Sequence, residues 1–145
     1  LRITSGGGFL FDNGEFVERC NITAGKLSDN TNIDLEDGMV HYFTTQETTT
    51  STPNIRVSSS TSLNDVMGAG DVVTVTLITT AAAGGYSAQF TIDGNAVTEV
   101  WVGGAAPTAG GSSGLDVYGL TIICTHASNT GDNGFKVLAN VTNLA

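Results

Sequence analysis

Residues 71–80 read DVVTVTLITT. Val73, Val75 and Leu77 fall on one side of an extended chain, and Val72, Thr74, Thr76 and Ile78 on the other. Nearly all are β-branched, and alternation with a period of two belongs to a strand, not a helix. The same phase recurs downstream. In DVYGLTIICT (116–125), Tyr118, Leu120, Ile122 and Cys124 share a face. In GFKVLANVT (134–142), Phe135, Val137, Ala139 and Val141 point inward, while Lys136, Asn140 and Thr142 point outward. Upstream, EFVERCNITA (15–24), MVHYFTT (39–45) and NIRVSS (54–59) read as shorter strands. YSAQFTIDGNAVTEVWV (86–102) reads as a hairpin joined at Asp93-Gly94-Asn95. No dozen residues repeat apolar positions at a helical period between plausible caps. The expected fold is all-β: an antiparallel, jelly-roll-like β-sandwich of eight or nine short strands with little or no helix.

At 145 residues the chain is one domain long and can bury a real core. Charged residues make up 13 % of it, about half the usual share. Ser, Thr, Asn and Gly fill the difference, as suits an extracellular or particle-bound β protein. Fourteen acidic residues against five basic ones give a formal net charge of −9. So few cations cannot neutralise a run of phosphates, which argues against nucleic acid as a partner, and repulsion from anionic headgroups argues against a membrane surface. No apolar run approaches the ~20 residues of a membrane helix. The start at Leu1 is expected to reflect processing or a longer gene product. Residues 1–30, with a triple glycine and an Asn-Gly turn, read as an N-terminal arm or strand segment set apart from a sandwich spanning 31–145. The arm either completes the sandwich locally or pairs with a neighbouring subunit.

Candidate chemistry is thin. Asp34, Glu36 and Asp37 before Gly38 offer oxygen ligands, but without the spacing of an EF-hand loop, and a solvated turn is the expectation. His41 and His126 have no ligand-spaced partner, so no metal and no cofactor is expected. No nucleophile elbow and no selected pair of carboxylates mark a catalytic residue. Cys20 and Cys124 lie far apart and read as reduced, mostly buried thiols rather than a disulfide. Asn21-Ile22-Thr23 and Asn140-Val141-Thr142 match the N-glycosylation pattern, as an Asn- and Thr-rich chain does readily. The glycine-rich strings AAAGGY (81–86) and GGAAPTAGGSSG (103–114) open no helix and so lack a phosphate-binding field. Most aromatics fall at core positions; Trp101 and Tyr86, beside loops, are the candidates for stacking on a sugar.

Three stretches in order, NIRVSSSTSLNDVMGAGDVVTVTLITT (54–80), TIDGNAVTEVWVGGAAPTAGGSSGLDVYGLTII (91–123) and GFKVLANVTNLA (134–145), resemble a β-rich domain of structural proteins of tailed bacteriophages, especially those of marine bacteria. The resemblance covers roughly residues 31–145. ICTHASNTGDNGF (123–135) is longer than the connection associated with that family. The resemblance implies a virion component without catalysis: a tail fibre, appendage or capsid decoration, often homotrimeric, whose partners are copies of itself and other virion proteins. Two other readings stand beside it. One is a subunit of an extracellular, pilus-like filament in which Phe16, Cys20 and Ile22 of the arm enter a neighbour's groove on alternate positions. The other is a carbohydrate-binding module using Trp101 and Tyr86.

Overall fold

The computed structural model describes residues 14–145, together with the backbone pairing of Arg2–Ile3 (β1) with Phe9–Leu10 (β2). The triple glycine of the arm and Asn13 of its expected turn lie outside the described residues.

Ten further strands follow. They are β3 (Cys20–Thr23), β4 (Asn32–Asp34), β5 (Val40–Gln46), β6 (Asn54–Arg56), β7 (Val72–Thr80), β8 (Thr91–Ile92), β9 (Asn95–Ala96), β10 (Glu99–Trp101), β11 (Leu115–Cys124) and β12 (Phe135–Leu144). A six-stranded sheet has the order β10-β12-β11-β7-β5-β3, and a four-stranded sheet the order β4-β6-β8-β9. Helix among the described residues amounts to one short turn, α1 (Leu63–Val66), and three 3-10 turns.

The strand-rich class is as expected, but the sheets are mixed rather than antiparallel. β7, β11 and β12 form an antiparallel trio, whereas β3, β5 and β7 run parallel, as do β10 with β12 and β4 with β6 and β8. The cause is the route of the chain. From β3 to β8 successive strands alternate between the two sheets, so each return to a sheet runs in the original direction. Parallel neighbours need a long crossover. Here the crossover out of one sheet contains a strand of the other.

The expected hairpin at 93–95 is also altered. Asp93 and Gly94, with φ of 51° and 75°, form the two-residue turn between β8 and β9, and positive φ at both centres is the twist a tight hairpin needs. Its strands are only two residues each, however. Glu99–Trp101 then leaves for the six-stranded sheet and pairs with β12.

Alternation in the long strands places one apolar set inward. Val75, Leu77, Tyr118, Leu120, Ile122, Phe135 and Val137 are all buried. From the opposite sheet, Ile33, Ile55 and Ile92 sit side by side in register on β4, β6 and β8, and none is more than 1 % exposed. Both sets belong to one apolar cluster that also contains Phe43, Phe90, Leu63 and Met67. Ile55, the middle member of the isoleucine row, holds both neighbours. Truncating Ile55→Ala should cost about 3 kcal/mol, the usual range for a buried large-to-small change. A fall in urea midpoint with an unchanged denaturant slope would carry that signature.

Candidate functional sites

The two glycine-rich loops meet at one end of the six-stranded sheet and are tied to each other. Gly110 N–H donates to the Ala83 carbonyl (3.1 Å), and the Gly111 N–H is shared between both oxygens of Asp116 (3.0 Å each). Asp116 is fully buried, and its Oδ1 also accepts from Asn143 Nδ2 at 2.6 Å. A Cβ on Gly110 would lie 2.5 Å from the Ala82 carbonyl and 2.8 Å from both Asp116 and the Gly85 carbonyl, so only glycine allows this approach. Tyr118 extends the knot. Its hydroxyl accepts from Ser87 N–H at 3.1 Å, and burial, the chief cause, pushes its pKa up to about 12. The glycine-rich loops, which lack a phosphate-binding field, are joined in a polar clasp around the buried Asp116 carboxylate.

The same chemistry recurs around the molecule. Glu47, 3 % exposed, accepts from the N–H groups of Leu27 and Ser28. Asp93 accepts from Leu63 (2.7 Å) and Asn64 (3.1 Å), Asp71 from Gly68 (2.7 Å), and Glu99 from Phe90 N–H. Asp65 closes a reciprocal capping box with Ser62, and that hydroxyl holds its carboxyl below the usual range. Asp132 is lowered in the same way by the Thr98 hydroxyl and N–H. Much of the acidity therefore satisfies loop backbone.

A second feature is the outer face of the six-stranded sheet, which neither the four-stranded sheet nor a helix covers. Register places its side chains in rows: Ile22–Tyr42–Ile78–Val117–Thr142, then Cys20–Val40–Thr76–Gly119–Asn140. Thr74–Thr121–Leu138–Val100 and Val72–Ile123–Lys136 continue the pattern. Lys136 is the one charge in these rows, and no carboxylate occurs in them. Of nine exposed large hydrophobics among the described residues, six lie on this face or at its margin: Ile22, Val72, Val100, Val102, Leu138 and Leu144. Because Gly119 has no side chain, a groove of about 380 Å³ crosses the sheet there, flanked by Thr74, Thr121, Val102 and Leu138.

The structure separates the residues singled out from sequence. Trp101 is 9 % exposed and packs against Phe90 with ring centroids 6.1 Å apart, so it offers no platform for a sugar. Tyr86 is half-buried and lines a surface cleft with Thr50, Ser51, Thr52, Ala88 and Gln89. Cys20 and Ile22 lie side by side on the outer face of β3, paired with the chain's own β5, while Phe16 precedes the strand and is 77 % exposed. Cys124 is a buried free thiol as expected, but Cys20 is exposed rather than buried. Asp34 forms a two-point ion pair with Arg56, apart from the exposed Glu36 and Asp37. His41 is buried, with Nε2–H donating to the Gly38 carbonyl (2.9 Å) and Nδ1 accepting from Asn21 (3.4 Å). Burial holds its pKa below the ordinary value. His126 is exposed on the β11–β12 connection. Among the described residues, no three His, Cys, Asp or Glu side chains converge as a metal site.

Sequence reasoning treated the acids as surface charge and missed their role. The available signal was position: each of Asp65, Asp71, Asp93 and Asp132 lies in a Gly/Asn/Ser-rich turn, where a carboxylate accepts free N–H groups. Comparison with protein-family models, with curated proteins and with solved structures finds no match to this chain.

Two outcomes follow. Asp116→Ala strands the Gly111 N–H and the Asn143 amide and should cost about 3 kcal/mol, whereas Asp116→Asn, which keeps an acceptor, should cost about 1 kcal/mol. Chemical denaturation gives the two costs, and faster amide exchange at Gly111 in the alanine variant locates the effect.

The pH response has two limbs. His41 is lowered in the folded state, so the unfolded chain binds its proton more tightly and stability declines as pH falls below about 6.5. Asp65 and Asp132 are also lowered; their contribution is complete above about pH 4 and is lost as pH falls through their folded values. Thermal melts across pH should lose the upper limb in His41→Gln and show a shallower lower limb in Asp132→Asn.

Proposed function

We propose that this chain is a non-enzymatic structural subunit that assembles with copies of itself through the outer face of the six-stranded sheet. We place that assembly in a tailed-phage particle, as an appendage, fibre or shell decoration. The observation that carries the assembly reading is the set of outer rows free of carboxylate on a chain of net charge −9. Strands about 4.8 Å apart, of three to ten residues rising about 3.3 Å each, make a face of roughly 700 Å². That approaches the area each partner contributes to a standard stable interface, at roughly 800 Å². Two acidic copies meeting here bring no carboxylates together. Val and Thr methyls with Thr hydroxyls can pack or hydrogen-bond across the contact.

The particle context rests on the resemblance of the ordered motifs in 54–80, 91–123 and 134–145 to phage structural domains. The filament alternative would place Phe16, Cys20 and Ile22 in a neighbour's groove. Since Cys20 and Ile22 already pair with β5 of the same chain, assembly through the outer face needs no exchange of strands.

Sedimentation analysis tests the assembly. The full chain should form a closed oligomer at micromolar concentration, and Leu138→Glu, beside the Gly119 groove, should shift it to monomer. The folded monomer should keep its melting temperature within a few degrees, because an exposed site costs about 0.5 kcal/mol or less. A chain monomeric at high micromolar concentration, or an oligomer indifferent to both Leu138→Glu and Thr76→Glu, overturns the reading.

A further inference from the structure

We infer that the cleft beside Tyr86 is a binding site for a neutral saccharide. The cleft has a volume of about 340 Å³ and lies between the loop after β5 and the loop after β7. That is the small end of the size range of ligand sites and suits one or two sugar rings. Its lining residues, Thr50, Ser51, Thr52, Tyr86, Ala88 and Gln89, carry no charge. In a chain of net charge −9 this selects an uncharged ligand. The nearest acid along the chain, Glu47, is buried and engaged with the N–H groups of Leu27 and Ser28.

The polar groups are of the right kind. A pyranose presents an apolar C–H face and a rim of hydroxyls, each both donor and acceptor. Tyr86 supplies an aromatic ring, and the Gln89 amide with the Thr50 and Thr52 hydroxyls supplies neutral donors and acceptors. None of these four side chains has a hydrogen-bond partner among the described residues, whereas Ser51 is committed to Ser87 at 2.8 Å.

The walls are fixed in advance. Ser51 N–H donates to the Tyr86 carbonyl at 3.0 Å, Thr91 N–H to the Pro53 carbonyl at 2.9 Å, and Ser87 N–H to the buried Tyr118 hydroxyl at 3.1 Å. Both loops are therefore cross-tied, and the Gly110 N–H bond to the Ala83 carbonyl adds a tie to the segment that leads into Tyr86. A ligand would order little on binding, which preserves affinity. No lining residue lies in the outer rows of the six-stranded sheet, so the site stays open in the assembly proposed above and does not depend on it.

The test is an NMR titration of the full chain with three probes, methyl β-D-galactopyranoside, methyl α-D-glucopyranoside and N-acetyl-D-glucosamine, with D-glucose 6-phosphate as the charged control. At least one neutral sugar should shift the amides of residues 50–52 and 86–89 saturably, with Kd near 1 mM. Tyr86→Ala should weaken that binding at least tenfold, Tyr86→Phe should stay within threefold of the parent, and Gln89→Ala should weaken it severalfold. If Tyr86→Ala fails to fold, Gln89→Ala and Thr50→Val carry the test. No saturable shift with any of the three sugars, shifts centred elsewhere, equal binding of the phosphorylated control, or affinity unchanged in Tyr86→Ala or, in its place, in both other variants would overturn the inference.

Discussion

The fold depends on carboxylates that accept hydrogen bonds from backbone N–H groups. Asp116 is the clearest case: fully buried, with no cation bonded to it among the described residues, it holds Gly111 and Asn143. Burying a bare carboxylate is unfavourable unless its oxygens are hydrogen-bonded, and buried loop N–H groups are unfavourable unless accepted. Each deficit cancels the other. A chain of short strands has many loops, and loops have many N–H groups that no ladder satisfies. Aspartate and glutamate can accept several such bonds from one side chain, which explains how fourteen acids coexist with five bases in a compact protein.

The long strands were legible in the sequence because one buried face imposes strict alternation. The stretches 71–80, 116–125 and 134–142 appear in the structure as Val72–Thr80, Leu115–Cys124 and Phe135–Leu144, within a residue or two of their sequence limits. Strand direction was not legible. Period-two alternation is the same whether a strand's neighbour is parallel or antiparallel, and only the length of the connection tells them apart. Sixteen residues separate β3 from β5 and twenty-five separate β5 from β7, lengths that fit a crossover. The three-residue strand β4 is too short to declare an alternation, and although β6 and β8 fall within stretches that read as strands, nothing in the sequence aligns Ile33, Ile55 and Ile92 into one row.

At the candidate sites, sequence and structure part for a different reason. Tyr86 and Trp101 are both aromatic residues beside glycine-rich loops, and nothing local distinguishes them. Trp101 is drawn inward because β10 pairs with β12 in register Trp101↔Ala139, which places the indole on the same face as the small buried Ala139. Tyr86 sits in a loop whose backbone is anchored on both sides, by Gly85 and by Ser87, leaving its side chain at the cleft. The outer rows are a property of register alone. Ile22, Ile78 and Val117 are distant in sequence, and their alignment into one uncharged row exists only after β3, β5, β7 and β11 pair.

The proposed assembly and the proposed saccharide site reinforce each other physically. A shallow cleft made of neutral hydroxyl and amide groups binds a sugar weakly, because each hydrogen bond replaces one with water and nets about 1 kcal/mol. Weak sites become effective when several are carried on one body, since the second contact is then intramolecular, and overall avidity can exceed single-site affinity by about 10²–10⁴. In the proposed assembly the outer sheet face would multiply copies, and no residue lining the Tyr86 cleft belongs to the rows it would cover. Rigidity of the cleft matters more in that setting than strength. Sites held in fixed orientation on a closed oligomer can engage a repeating glycan surface together, whereas sites on loose loops would lose that advantage to entropy. The glycine-rich loop that Asp116 holds at Gly111, and that bonds through its Gly110 N–H to Ala83 just before Tyr86, is the element that would connect the two.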